Sequence, residues 1–168
     1  GMAIASRWLG ASFNQPKSNL FDYDTYVLCS DGDLMEGVAC EAASLAGHLK
    51  LANLCWVYDD NAITIEGETG LAFSEDVGRR FEGLGWRVER VADANDTAAI
   101  GRALNCFKEE TERPTLIIVK SVIGYGAPTK AGSHSSHGAP LGPDEVSGAK
   151  EAYGWSATNH FHVPAEVP

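Results

Sequence analysis

Apolar residues along this chain fall into two kinds of grouping. Short unbroken runs, Tyr26-Val27-Leu28-Cys29, Leu54-Cys55-Trp56-Val57-Tyr58 and Thr115-Leu116-Ile117-Ile118-Val119, alternate with stretches where apolar residues recur every three or four positions. Unbroken runs suit strands buried on both faces, and the spaced pattern suits helices with one apolar stripe. Val38, Ala42, Leu45 and Leu49 predict the stripe of one helix, with Glu41, Ser44 and His48 on another face. Val77, Phe81 and Leu84 predict a second, opened by Ser74 as N-cap with Glu75 and Asp76 in its first turn, and ended by Gly85. Ile100, Leu104 and Phe107 mark a third, stopped before Pro114, and Pro143 to Tyr153 suits a last short helix. Trp86 to Val91 reads as a weaker, peripheral strand. From Ser121 to Pro143 the chain turns to Gly, Ser, His and Pro, a loop of the length that is functional or disordered in compact domains.

Strands alternating with helices predict an α/β fold, a parallel sheet with helices on both faces. Ligands of such sheets bind beyond the C-terminal strand ends. Two of the runs end there in polar clusters, Ser30-Asp31-Gly32-Asp33 and Asp59-Asp60-Asn61.

Composition narrows the picture. With 168 residues the chain holds one good core and not two comfortable ones. Thirteen Lys and Arg against 23 Asp and Glu give a net charge of −10, which repels phosphate backbones and anionic bilayers, so no nucleic-acid or membrane partner is expected. Cys29, Cys40, Cys55 and Cys106 form no C-x-x-C pair, and the first three sit in apolar stretches, as reduced buried thiols do. These features and the absence of a secretory leader pattern read as a cytoplasmic chain.

Asp31 and Asn61 each follow a buried strand, so a parallel sheet brings both to one edge. A carboxylate, an amide carbonyl and a nearby main-chain carbonyl make a hard oxygen set, suited to Mg2+ or Ca2+ rather than zinc. Gly32 would admit a close approach of its backbone to a phosphate. Each piece alone has a plainer reading: Asp-Gly after a strand is usually a turn, and Asp-Asn a polar strand end. A second chemical reading takes Asp31 as a nucleophile and Asp33 as its acid–base partner, as in haloacid-dehalogenase phosphatases, although the later lysine and acid that such enzymes need are not evident. A third is a binding module that has lost its chemistry.

Context favours one of these. The stretches 30–37, 41–51 and 58–61 closely resemble the transketolase family, whose thiamine-diphosphate motif begins at Gly-Asp-Gly and ends at an Asn. The resemblance continues through Phe73-Ser74-Glu75-Asp76-Val77, residues 80–86, Arg113-Pro114-Thr115-Leu116-Ile117, Ile123-Gly124-Tyr125-Gly126 and residues 132–141, in family order and spacing. It implies a thiamine-diphosphate-binding fold and the transfer of a two-carbon ketol unit from a ketose phosphate to an aldose phosphate, in the pentose phosphate pathway. Carried over residue by residue, it makes Asp31 and Asn61 side-chain ligands of Mg2+, and Ile63 a main-chain ligand. Gly32 and Asn61 would meet the diphosphate, and His137 both the diphosphate and the sugar phosphate. Glu36 would join a network linking two active sites across a homodimer.

Two positions depart from the pattern. Ser30 replaces the first glycine, which would distort the turn if that position needed positive φ. Ala62 stands where a polar residue is common. Lys130 could attract a sugar phosphate, whereas His134, His48, His160 and His162 carry no role. Residues 1–155 read as part of the diphosphate-binding domain and 156–168 as a linker or the start of another region. The chain matches about a quarter of a transketolase and begins inside a family helix, so it is expected to need a partner chain or a further region carrying the pyrimidine-binding domain, and to be inactive alone.

Overall fold

A computed structural model of the chain describes residues 1–167. In chain order its elements are α1 (Met2–Phe13), β1 (Thr25–Ser30), α2 (Asp31–Met35), α3 (Gly37–His48), β2 (Leu54–Asp60), β3 (Ile63–Thr64), β4 (Gly67–Glu68), α4 (Val77–Gly83), β5 (Arg87–Val91), α5 (Thr97–Glu109), β6 (Thr115–Lys120) and α6 (Pro143–Ala152). The chain divides into two compact units, residues 1–62 with 69–121, and residues 63–68 with 122 onward.

The three apolar runs become β1, β2 and β6 of the first unit, joined by β5 in a parallel sheet of order β1-β2-β6-β5. Successive strand side chains point to opposite faces, and both faces are covered. On one, Leu54, Trp56 and Tyr58 of β2 pack with Ala3 of α1, Ala43 and Ala46 of α3 and Phe81 of α4. Trp56, Phe81 and Trp86 meet edge-on there, with ring centroids 5.0–5.6 Å apart. On the other, Cys55, Ile117 and Val119 pack with Ala103 and Phe107 of α5. The expected parallel sheet between helix layers is therefore found, with β5 at one edge as its weaker pattern suggested.

The apolar stripe expected for α3 does not face the core. Val38 is 70% exposed, Leu45 49% and Leu49 39%, while the buried residues are Ala43 and Ala46. Small size decides this: a Cβ on Gly47 would lie 1.9 Å from the Leu84 carbonyl oxygen, so the helix approaches its neighbours more closely than its larger side chains allow. The N-cap of α4 is Asp76 rather than Ser74, its side chain accepting from the Arg79 N–H at 3.0 Å. The helix gives way at Gly85, whose φ is +85°, as expected. Cys29 and Cys55 are buried, but Cys40 is exposed, its sulfur accepting from the Arg80 guanidinium at 2.7 Å, contrary to the apolar setting of its sequence neighbours.

The second unit contains the β3–β4 hairpin, two residues per strand and too short to leave a periodic signature, and α6, which starts with Pro143 in its first turn as expected. Between residues 122 and 142 its only element is a single 3-10 turn at His134–Ser136. Among the described residues beyond Tyr153 there is no helix or strand.

Candidate functional site

The register of β1 on β2 pairs Cys29 with Tyr58 and Ser30 with Asp59, so the two polar clusters lie side by side at the C-terminal edge. The site grows from Asp31, the first residue of α2 and 2% exposed. The Tyr58 hydroxyl donates to Asp31 Oδ1 at 2.6 Å, and the Ala62 N–H donates to Oδ2 at 3.1 Å. Burial pushes the Asp31 carboxyl above the usual carboxylate range; the Tyr58 bond pulls it back, the Asp60 charge raises it again, and the Ala62 and Asn61 N–H groups lower it. Burial also pushes the Tyr58 phenol far up, so it stays a donor. The result is a nearly water-free acid that a divalent cation would hold ionised.

Ala62 has φ +61°, a left-handed conformation that costs a residue with a Cβ about 1–2 kcal/mol. Its N–H on Asp31 and its carbonyl, accepting from the Thr69 N–H at 3.0 Å, hold it there. The turn after β2 is thus folded back onto the carboxylate by two hydrogen bonds. Asn61 in the same turn donates its side-chain N–H to Asp59 Oδ2 at 3.2 Å, which orients the amide.

Ser30 occupies its position without strain. Its φ is −127°, and as N-cap of α2 its N–H donates to Asp33 Oδ2 at 2.9 Å and its hydroxyl to the same atom at 3.2 Å. The capping role removes the expected distortion and also occupies Asp33, which is exposed and turned to its own N-cap; the phosphatase reading, which needs Asp33 beside Asp31 as an acid–base pair, loses its second residue. Gly32 is exposed, and a Cβ added there meets nothing within 4 Å. Nothing in the chain's own packing calls for glycine at that position.

Arg80 was not legible from the sequence as part of this region. Its guanidinium donates to the Leu34 carbonyl of α2 at 3.1 Å and pairs with Glu75 at 2.6 Å, fixing the far end of the helix that starts with Asp31. Tyr58 was missed for another reason. It reads as the last apolar residue of a strand, and only the polar residues after it hint that its hydroxyl meets one of them.

A cavity of about 530 Å³ opens beyond the strand ends, lined by Asp31, Tyr58, Ala62, Asp76, Arg90 and Lys120 among others. Among the described residues no three His, Cys, Asp or Glu side chains converge as a metal cluster. A zinc-type cluster is therefore not built among the described residues.

Glu36 is exposed, at the break between α2 and α3. Ile63 and His137 belong to the second unit, Ile63 in β3 and His137 closing the 3-10 turn, with its N–H on the His134 carbonyl at 2.9 Å. Lys130 is occupied: its ammonium donates to the Leu141 carbonyl at 2.8 Å, so it braces the loop.

Residues 1–168 match the family described as transketolase, thiamine diphosphate binding domain. The chain is 52% identical over 167 residues to the transketolase of Geobacillus stearothermophilus, covering 99% of this chain and 25% of that protein. It is 51% identical over 167 residues to that of Streptococcus pyogenes, covering 99% and 23%. Among solved structures it resembles transketolase from Pichia stipitis in complex with sedoheptulose 7-phosphate, with TM-score 0.93, 43% identity, and 98% of this chain on 24% of that one. Transketolase from Leishmania mexicana gives TM-score 0.94 and 39% identity, covering 98% and 24%. The chain spans about a quarter of the length of the curated relatives it matches.

Proposed function

This chain belongs to the transketolase family, through the family's thiamine-diphosphate-binding domain, and we propose that it supplies the diphosphate- and Mg2+-holding half of a transketolase active site. The observation that carries the proposal is Asp31, a buried carboxylate at the C-terminal edge of a parallel sheet, held by Tyr58 and by the turn that bears Asn61. Asp31 and Asn61 would ligate Mg2+ through side-chain oxygens and Ile63 through its carbonyl. The unneeded glycine at position 32 is accounted for by a diphosphate approaching its backbone, with Asn61 beside it.

When bound, thiamine diphosphate supplies the electron sink for transfer of a two-carbon ketol unit between sugar phosphates. The chain's own residues bind and orient. Asp31 holds the cation that offsets the diphosphate charge, in a molecule whose net charge of −10 would otherwise repel it. His137 would reach both the diphosphate and a sugar phosphate. Glu36, exposed here, would become buried in a homodimer as part of the link between two sites. A further region or partner chain carrying the pyrimidine-binding domain supplies the glutamate that activates the cofactor. Residues 1–155 act as one domain in this assembly and 156–168 lead out of it. The pentose phosphate pathway and the cytoplasm are the setting; among the described residues no helix is long and apolar enough to cross a membrane.

A thermal-shift titration with Mg2+ and thiamine diphosphate, on the chain and on Asp31→Ala, tests the reading. A ligand of the native state adds about 2.7 kcal/mol of stability at a hundredfold excess over its Kd. A rise that needs both Mg2+ and the cofactor, and is lost in Asp31→Ala, is expected. A folded chain with no metal-dependent rise overturns it.

A further inference from the structure

Asp31 is one buried acid among the described residues and Glu145 is a second. The second lies in the other unit and has no part in the site described so far. Glu145 sits in the first turn of α6. Its Oε2 accepts from the Thr129 N–H at 3.1 Å and the Lys130 N–H at 3.3 Å, and its Oε1 from the Thr129 hydroxyl. Three donors on one carboxylate, from a stretch 15 or 16 residues away in sequence, make a clamp rather than a helix cap.

The clamp continues toward His137. The Lys130 carbonyl accepts from the Ser136 hydroxyl at 2.7 Å and from the Ser133 N–H at 3.2 Å. The Lys130 ammonium reaches forward to the Leu141 carbonyl. Lys130 is thereby bonded to residues on both sides of the 3-10 turn that His137 closes, and Glu145 fixes Lys130. Close contact locks the base: a Cβ on Gly148 of α6 would lie 2.2 Å from Pro128 Cγ.

We propose that Glu145 is a positioning residue, which holds the main chain of Thr129 and Lys130 against α6 so that His137 is presented in a fixed place to an anionic ligand. The inference rests on the proposed role of His137 as a diphosphate contact. In Glu145→Gln the acceptor loses its charge, so the bonds from the Thr129 and Lys130 N–H groups fall from charge-assisted to neutral strength with little change in size.

Two measurements on the 168-residue chain test this. Without ligand, hydrogen exchange of the amides at 129–137 should speed up about tenfold or more in Glu145→Gln, while the amides of β2 and β6 keep their rates. With Mg2+ and thiamine diphosphate, Glu145→Gln should weaken binding by about five- to tenfold, and the double variant with His137→Ala should bind no worse than His137→Ala alone, as two residues acting as one unit do. Unchanged exchange at 129–137, or additive losses in the double variant, overturns the inference. If His137→Ala leaves the affinity unchanged, the reading of His137 fails while an accelerated exchange still shows the clamp. Should Glu145→Gln not fold, Thr129→Val, which removes only the hydroxyl, must show the same pattern more weakly, or the clamp is refuted.

Discussion

Replacing Tyr58 with phenylalanine isolates the bond on which the site is built. The ring stays in its core position, so the change removes one hydroxyl and the 2.6 Å contact with Asp31 Oδ1. Both partners are buried, Tyr58 at 3% and Asp31 at 2% exposure, so the bond is formed largely out of solvent. A hydrogen bond to a charged group contributes about 1.5–3 kcal/mol, which for a chain of this size lowers Tm by roughly 3–12 °C. The pH dependence separates this cause from simple loss of packing. Burial raises the folded-state pKa of Asp31 above 3.8, so the folded state binds that proton more tightly than the unfolded chain. Stability from this group is therefore full below 3.8 and falls as pH rises through the folded pKa. Removing Tyr58, which lowers that pKa, extends the fall to higher pH. The variant should lose about 2 kcal/mol at pH 7 and less in acid, as Asp31 takes up its proton. Urea unfolding in EDTA at pH 7 and at a series of lower pH values measures both. A loss that stays constant with pH, or is under about 0.5 kcal/mol at pH 7, would show that the phenol does not support a buried charge.

Other expectations follow from the same structure. Gly47→Ala places a Cβ 1.9 Å from a backbone oxygen, and should cost about 1–3 kcal/mol of stability, read as a lower urea midpoint with an unchanged slope. Ala62→Val, at φ +61°, should cost more than about 1 kcal/mol, whereas Ala62→Asn, a side chain that tolerates this conformation, should cost nothing or add about 0.5 kcal/mol; paired denaturation curves decide it. Burial first, with nearby Asp33 and Asp59 for Cys29 and Asp24 for Cys55, pushes both thiols up to about 12. A thiol reagent at pH 8 should therefore label exposed Cys40 first and reach Cys29 and Cys55 only on unfolding, as peptide mapping would show.

Much of the fold could be read directly because its strands are buried on both faces. Thr115 to Val119 and Leu54 to Tyr58 carry so little polarity that no other element suits them, and their polar ends marked the edge where Asp31 and Asn61 meet. What failed to show were contacts set by small size or long range. The α3 stripe was assigned by apolarity, yet Ala43, Ala46 and Gly47 won the core because they let backbones approach. The cap at Asp76 instead of Ser74 is a two-residue slip of a kind that only geometry resolves. Tyr58 and Arg80 act on Asp31 and Leu34 across 27 and 46 residues, and no local pattern encodes such a pairing. Ser30 looked like a defect because the family pattern has glycine there, and the capping bond to Asp33 explains why serine is accommodated.

The bond from Ala62 to Asp31 has a consequence for how the chain spends its disorder. A loop that gathers around an ion only on arrival gives up its freedom at the moment of binding, and the affinity falls accordingly. Here the left-handed turn next to Asn61 is closed on the carboxylate by a bond within the chain itself. The ordering belongs to folding, and binding inherits it. Under the proposed role of Asp31 the two processes would be coupled through one side chain: a cation that keeps Asp31 ionised would also keep the acceptor that holds the turn shut. Loosening the turn from its far side, at Thr69, would weaken cation binding without touching a ligand, and a bound cation would in return slow the opening of that turn.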